Sequence, residues 1–486
     1  MTADVFLIFS ICFGERGVDQ TLRKFAVKTY LGNRTILKDF LMIAMPIAIQ
    51  NGITNFVSML DNLMVGQLGT HQMNGVSIVN QIQFIPYLAL FGAMAGAGIF
   101  TAQFYGSGDG EGIRYTFRFK LCGSALLTGV TIAAAAVFGS DLITLFLHSE
   151  SQRDVALTMQ YGMDYMSVAM WSFIPFSLCQ VYVSTLREIG QTVVPMKAGL
   201  AAVVVNVVMN WVLIFGQLGL PAMGVKGAAL ATIIARVTEW AIVAVWLHTH
   251  SESYAFVKGL LRSFRIPGRL LGRVISKSIP LIINESAWAF GMTFLNQSYS
   301  TRGLDAVAGV NICSTLSNVF CVFFIAAGDA IAIMIGQLLG AGRKEEARSS
   351  DRVLCTYSVL GSGMMGVIMA VCAPFFPLLY HTTWEVRHLA TAMLWVSALM
   401  LPVTAFTNAA YFTLRSGGNT FVTFLFDGCY MLCVVVPMAY LLTRFTDLPI
   451  LPVYMLCQTA EICKAVVGFV MVRKGVWVNN IVEDMT

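Results

Sequence analysis

Long apolar runs separated by short polar stretches dominate the chain. A helix needs about 20 apolar residues to cross the hydrocarbon core of a bilayer. Lipid offers no partner to an exposed peptide group, so a spanning segment must satisfy its backbone internally. On that length, spans are predicted near 40–64, 74–100, 116–138, 158–185, 194–216, 227–247, 274–299, 306–335, 353–380, 389–413, 420–443 and 450–472. The end of the third is softest, because Asp141 interrupts an apolar stretch. VFLIFSICF (5–13) is apolar but too short to span. It lacks the basic start and small-residue cleavage site of a signal peptide. Residues 1–38 therefore read as a cytoplasmic lead-in, whose first dozen residues are either an interfacial helix or an extension without function.

Basic residues orient these spans. With both termini on one side, the loops on that side and the lead-in hold 24 of the 31 Lys and Arg residues, and the opposite loops hold five: Arg153, Lys226, Arg302, Arg387 and Arg444. Only Arg236 and Lys464 fall inside spans. Positive charge gathers on the cytoplasmic side, so both termini are expected there, in a multi-pass protein of the cell membrane.

The chain also repeats itself. At an offset of 234 residues Pro46 falls on Pro280, Asn62 on Asn296 and Gly69 on Gly303, and AQFYGSGDGEGIR (102–114) on GQLLGAGRKEEAR (336–348). At 228, TLREIGQT (185–192) falls on TLRSGGNT (413–420). Each half has six spans, an even number, so the halves share orientation. The expected organisation is a lead-in (1–38), a first lobe (39–250), a basic cytoplasmic connector (251–273), a second lobe (274–474) and a tail (475–486). The fold class is all-α polytopic: twelve transmembrane helices in two pseudo-symmetric six-helix lobes.

Composition agrees. The chain is 57% hydrophobic and 12% charged, too few charges to cover a soluble protein of this size. The basic residues are scattered, which argues against a nucleic-acid partner. The eleven cysteines show no zinc or redox spacing and read as packing residues. No metal or cofactor is expected. All six histidines lie in or beside loops, and neither HExxH nor GxSxG occurs, so an intramembrane enzyme is not expected.

Polar groups inside spans are costly, about 2.5–3.5 kcal/mol for an ionised group at the bilayer centre on insertion scales. They are therefore the candidate site. On span 1, Asn51, Thr54, Asn55, Ser58, Asp61 and Asn62 fall within an arc of roughly 120°. Such a stripe suits water or a ligand, although amides and hydroxyls alone can glue helices. Asn206 and Asn210 share one face of span 5; their amides can ligate a cation or bond a protonated carboxyl. Asn80, Gln83 and Tyr87 of span 2 are further candidates. Glu285 of span 7 shares a face with Thr293 and Asn296. Arg236 with Glu239 and Glu461 with Lys464 read as self-paired couples, and Asp164, Asp329 and Asp427 as acids near span ends. Pro46 and Pro280 each remove a helix hydrogen bond and are candidate hinges.

Seven stretches, in order, carry a family resemblance: DNLMVGQLGT (61–70), TLREIGQT (185–192), NVVMNWVLIFG (206–216), GVKGAALATIIAR (224–236), NESAWAFG (284–291), IGQLLGAGRKEEA (335–347) and LRSGGNT (414–420). Together they resemble the multidrug and toxic-compound extrusion (MATE) family over residues 36–475. The resemblance implies a V-shaped twelve-helix antiporter that expels drug-like, often cationic, compounds in exchange for Na⁺ or H⁺ by alternating access. It further implies that Asp61 is the first-lobe coupling acid, with Asn206 and Asn210 beside it, and that Glu285 serves coupling or substrate charge. The chain departs from the pattern in span 10, where LMLPVTAFTNAAYFTLR (399–415) has no acid; this places in doubt a second-lobe cation site built on that acid. Small organic substrates and membrane lipid are the expected partners, and a monomer the expected working unit. The alternative is a flippase for lipid-linked saccharides or lipids, which would ask for a strongly basic cavity.

Overall fold

The computed structural model describes residues 34–147, 152–260, 262–380 and 382–485. Most of the expected lead-in, including 5–13, lies outside the described residues. The described chain is helical, with no strand. The spans are Arg34–Gly66, Thr70–Ser107, Gly110–Thr144, Arg153–Glu188, Val193–Phe215, Gly224–Thr249, Gly268–Ser300, Leu304–Gly340, Lys344–Cys372, Trp384–Ser416, Thr420–Phe445 and Ile450–Lys474. Eleven of these helices are both long and apolar enough to cross a membrane. The seventh, Gly268–Ser300, has the length at 33 residues. Its sequence holds Arg269, Arg273, Lys277 and Glu285 among several amides and serines, which dilute its apolar character.

Most helices run several residues beyond the spans read from the sequence, and three depart further. Span 3 runs past Asp141 to Thr144, so that acid is a helical residue, not a terminator. Span 4 is interrupted by a 3-10 turn at Met170–Ser172. Span 9 stops at Cys372 and the chain continues as a 3-10 turn, Phe376–Leu379. Pro374 and Pro377 explain the early stop, because neither has a backbone N–H to continue the helical hydrogen bonds. Span 11 departs from α-geometry internally, with π-helical turns at Leu425–Cys429 and Met431–Val435. Pro46 and Pro280 both lie within unbroken helices.

The repeat is visible in the backbone. Gly108 and its mate Gly342 have φ of 77° and 73°, and Gly190 and Gly418 have 84° and 72°. Each pair closes a helix at the same point of its half with a left-handed residue, which glycine adopts without steric cost.

Packing divides the described chain into two compact units that interleave along the sequence. One holds residues up to 45, 295–418 and 434–481; the other holds 46–294, 419–433 and 482 onward. The divisions fall inside spans 1, 7 and 11, so they follow packing and not the midpoint between the sequence halves. Within the second unit Val65, Val76, Val79, Ile143, Tyr165 and Ile214 form a buried core. Gly75 lets span 2 meet span 4 closely there: a Cβ at Gly75 would lie 2.7 Å from the Gly162 nitrogen. Close approach through small residues is how helices associate in lipid.

Candidate functional site

Asp61 sits on span 1 five residues before the helix ends at Gly66. Asn206 and Asn210 lie one turn apart on span 5 and are 4% and 1% exposed. The Asn210 Nδ2 donates to both the Asp61 Oδ1, at 2.5 Å, and the Asn206 Oδ1, at 3.2 Å. The three expected coupling residues thus meet in one hydrogen-bonded group. The Asn210 Oδ1 is buried and accepts no hydrogen bond. A buried acceptor without a donor is rare, and an amide oxygen beside a carboxylate is a hard-cation ligand.

The side chains around this group match the sequence reading only in part. The Tyr165 hydroxyl of span 4 donates to the Asn80 Oδ1 at 3.3 Å, and Tyr165 lies within electrostatic reach of both Asp61 and Tyr87. Gln83 is buried and Asn80 exposed. Tyr87 packs against Phe173 and Phe176, with ring centroids 4.7 and 4.5 Å apart. Arg236 of span 6 bonds Glu239 at 2.9 Å, lies over the Phe176 ring at 5.1 Å, and reaches Asp61 electrostatically. It is self-paired, as its spacing predicts, yet it also places a positive charge near the candidate acid. Sequence reading missed Tyr165 altogether; a tyrosine among apolar residues carries no signal until a partner faces it.

The remaining polar candidates are half-buried or exposed. Asn51 is half-buried, while Asn55 and Ser58 are exposed. The Ser58 hydroxyl donates to the Thr54 carbonyl of its own helix at 3.1 Å. Glu285 is half-buried on span 7, and Asn296 is exposed and belongs to the other compact unit. Asn284, which the sequence reading passed over, is 1% exposed. Its Nδ2 donates to the Asp427 Oδ2 at 3.1 Å, and its Oδ1 accepts the Gly428 N–H at 2.8 Å. This contact falls on the first π-helical turn of span 11. A π-bulge displaces a backbone N–H from the regular ladder and often marks a functional position. Asp164, in contrast, forms an ordinary ion pair with Lys226 at 3.0 Å. No cluster of three or more metal-ligating acids, histidines or cysteines exists among the described residues.

Comparison with known proteins decides the family. The MatE family model matches residues 46–212 and again 280–441. This chain belongs to the MATE family. The double match coincides with the internal repeat. Among similar proteins, the probable multidrug resistance protein NorM of Thermotoga maritima is 23% identical over 449 residues, covering 91% of this chain and 93% of the relative. The multidrug resistance protein MdtK of Yersinia pestis is 24% identical over 373 residues, covering 74% and 78%. A solved MOP-superfamily transporter from Pyrococcus furiosus superimposes with TM-score 0.81 at 19% identity, covering 93% of this chain and 97% of that one. A Vibrio cholerae MATE transporter gives TM-score 0.79 at 18% identity, covering 91% and 97%. The fold of this chain is that of the MATE transporters, multi-pass and all-helical.

Proposed function

We propose that this MATE-family protein is a secondary active efflux antiporter that exports organic, cationic or amphiphilic drug-like compounds in exchange for Na⁺ or H⁺ by alternating access, and that Asp61 is its coupling acid. The observation that carries the reading is the Asp61–Asn210–Asn206 group. A carboxylate near the end of a spanning helix, held by the neutral Asn210 amide, is suited to bind and release a cation. The Asn210 Oδ1 supplies a further oxygen for that cation. Arg236 makes the empty, charged state less costly without closing an ion pair on Asp61. The names of the relatives, which are multidrug resistance proteins, support the substrate class.

Glu285 fits the role of sensing substrate charge, since coupling already has an acid in Asp61. Asn51, Asn55, Ser58, Asn80, Gln83, Tyr87 and Asn296 fit roles in substrate binding, and Pro46 and Pro280 as bending points. A flippase for lipid-linked saccharides is less well supported: the arginine nearest the acid is paired to Glu239, whereas a diphosphate would need free basic groups. On this reading the protein works as a monomer in the cell membrane, with both termini on the cytoplasmic side.

Asp61→Asn keeps the shape and removes the charge. In proteoliposomes with separately imposed Na⁺ and H⁺ gradients, the variant is expected to insert normally and to lose gradient-driven transport of a fluorescent organic cation. Full transport by the variant under either gradient would overturn the assignment. The wild-type protein under the two gradients identifies the coupling ion.

A further inference from the structure

Span 9 carries a second buried acid that the group around Asp61 does not use. Asp351 is 1% exposed, and it shares a helix face with Ser358 and Ser362, 0% and 1% exposed. At about 100° per residue the three fall within roughly 40°. The Asp351 Oδ1 accepts the Thr413 hydroxyl of span 10 at 2.6 Å, and the Cys355 thiol at 3.8 Å. The Asp351 Oδ2 and the hydroxyl oxygens of Ser358 and Ser362 are buried without a hydrogen-bond partner. Farther along the same face Gly366 packs span 9 onto span 10, where a Cβ would lie 2.6 Å from the Ala398 oxygen. The seam between spans 9 and 10 is therefore tight at one end. From the basic end of span 9 it is lined by one carboxylate and two unpaired hydroxyls.

The repeat makes this arrangement informative. Thr413 corresponds to Thr185 of the first half. There, the Lys120 Nζ contacts the Thr185 hydroxyl at 3.2 Å and forms a short ion pair with Glu188. That buried charge is neutralised within its own half. In the second half the lysine position is Leu354 and the glutamate position is Ser416. The buried charge comes instead from Asp351, and no described residue forms an ion pair with it. Of its titratable neighbours, Cys355 is neutral and on the same helix, and Arg352, the next residue, is exposed. Arg348, one turn earlier, pairs with Glu345 at 3.6 Å. On span 10, Arg415 lies over the Phe412 ring at 5.1 Å. No charged side chain of span 8 bonds it.

We propose that Asp351 is a proton-binding group of the second half, which exchanges its proton with water when the seam between spans 9 and 10 opens and holds it while that seam is closed. A wholly buried carboxylate that no ion pair neutralises is costly, and one proton removes the charge. When water reaches it from the basic end of span 9, the Oδ2 takes that proton from hydronium, leaving water, and the carboxylate becomes a neutral carboxyl. The Thr413 hydroxyl already occupies the other oxygen. A small metal cation is disfavoured, because Ser358 and Ser362 lie about 10 and about 16 Å along the helix from Asp351 at ~1.5 Å rise per residue, too far to complete its coordination. The link to the transport cycle rests on the antiporter reading above; proton binding itself does not.

Infrared spectroscopy of the reconstituted protein, titrated with acid and base, tests this separately from transport. The wild type is expected to show a protonated-carboxyl band that disappears as pH rises and is missing from Asp351→Asn. Thr413→Val removes a donor to the ionised form, so it should change the band's frequency and move its titration to higher pH. This variant tests the proposal even if Asp351→Asn does not fold. Asp61→Asn should keep the band while losing coupled transport, which separates this inference from the assignment of Asp61. A band that is identical in Asp351→Asn, one that never titrates, or one that Na⁺ removes at fixed pH would overturn the proposal.

Discussion

Single residues decide how charge is tolerated in this protein, and the first half alone does it in two ways. Asp61 leans on Asn210, while Lys120, fully buried, leans on Glu188 and Thr185. Removing one member of a buried pair leaves the other charge unmatched and costs about 3–5 kcal/mol. Glu188→Gln is therefore expected to lower the thermal unfolding temperature measured by scanning fluorimetry in detergent. The double variant Lys120→Met with Glu188→Gln should recover most of that loss. Equal destabilisation of the single and double variants would show that the pair matters for shape and not for charge. Asp61 and its asparagines were legible in the sequence, because polar residues at helical spacing in an apolar run mark a face turned away from lipid. Asn284, Tyr165 and Asp351 were not. Each looks ordinary on its own helix and acquires meaning only from a partner more than 60 positions away, such as Thr413 for Asp351.

At the scale of the helix, span 11 is the element that departs furthest from its sequence pattern. Its apolar run predicts a plain helix, yet it winds as π-helix from Leu425 to Cys429 and again from Met431 to Val435. Gly428 sits in the first of these turns, against span 7. A Cβ there would lie 2.9 Å from the Asn284 Oδ1 and 3.0 Å from the Ala287 Cβ. Gly428→Ala is expected to force the two helices apart, break the Gly428–Asn284 hydrogen bond and release Asp427 from Asn284. Overpacking of this kind costs about 1–3 kcal/mol, readable as a lower unfolding temperature. Ala287→Gly in the same background should restore part of the loss by relieving one of the two contacts. An unchanged unfolding temperature in Gly428→Ala would show that the span 7–span 11 contact is loose.

For the whole molecule, the basic-residue count makes the orientation testable. Glu252 is exposed in the basic connector, and Leu220 is exposed between spans 5 and 6. Gly219, although equally exposed, has φ of 83° and would strain a side chain, so Leu220 is the better probe. In a cysteine-free background, Leu220→Cys should react with an impermeant thiol reagent added outside intact cells. Glu252→Cys should react only after the membrane is opened. The opposite pattern would invert the topology. The connector itself is anchored: Arg118, 6% exposed, donates to the carbonyls of Leu260 at 3.0 Å and Gly259 at 2.9 Å. Two positive charges that count toward orientation, Arg114 and Arg118, thus also hold the linker to span 3.

The sequence by itself determined the membrane-spanning class, the number and approximate limits of the spans, the six-plus-six repeat and the candidate acid on span 1. These follow from one-dimensional quantities. Hydrocarbon thickness fixes run length, the bilayer excludes unpaired backbone, and a helix returns the same face every few residues. Only the tertiary structure decided which polar groups face one another. It joined Asp61 to Asn210, gave Asp427 to Asn284 on a π-helical turn, and left the Asp351 Oδ2 without a hydrogen-bond partner. It also drew the compact units across spans 1, 7 and 11 instead of between the sequence halves. The reason is physical: the partner of a buried polar group lies on another helix, and helix-to-helix register is set by side-chain packing that no single helix's pattern contains.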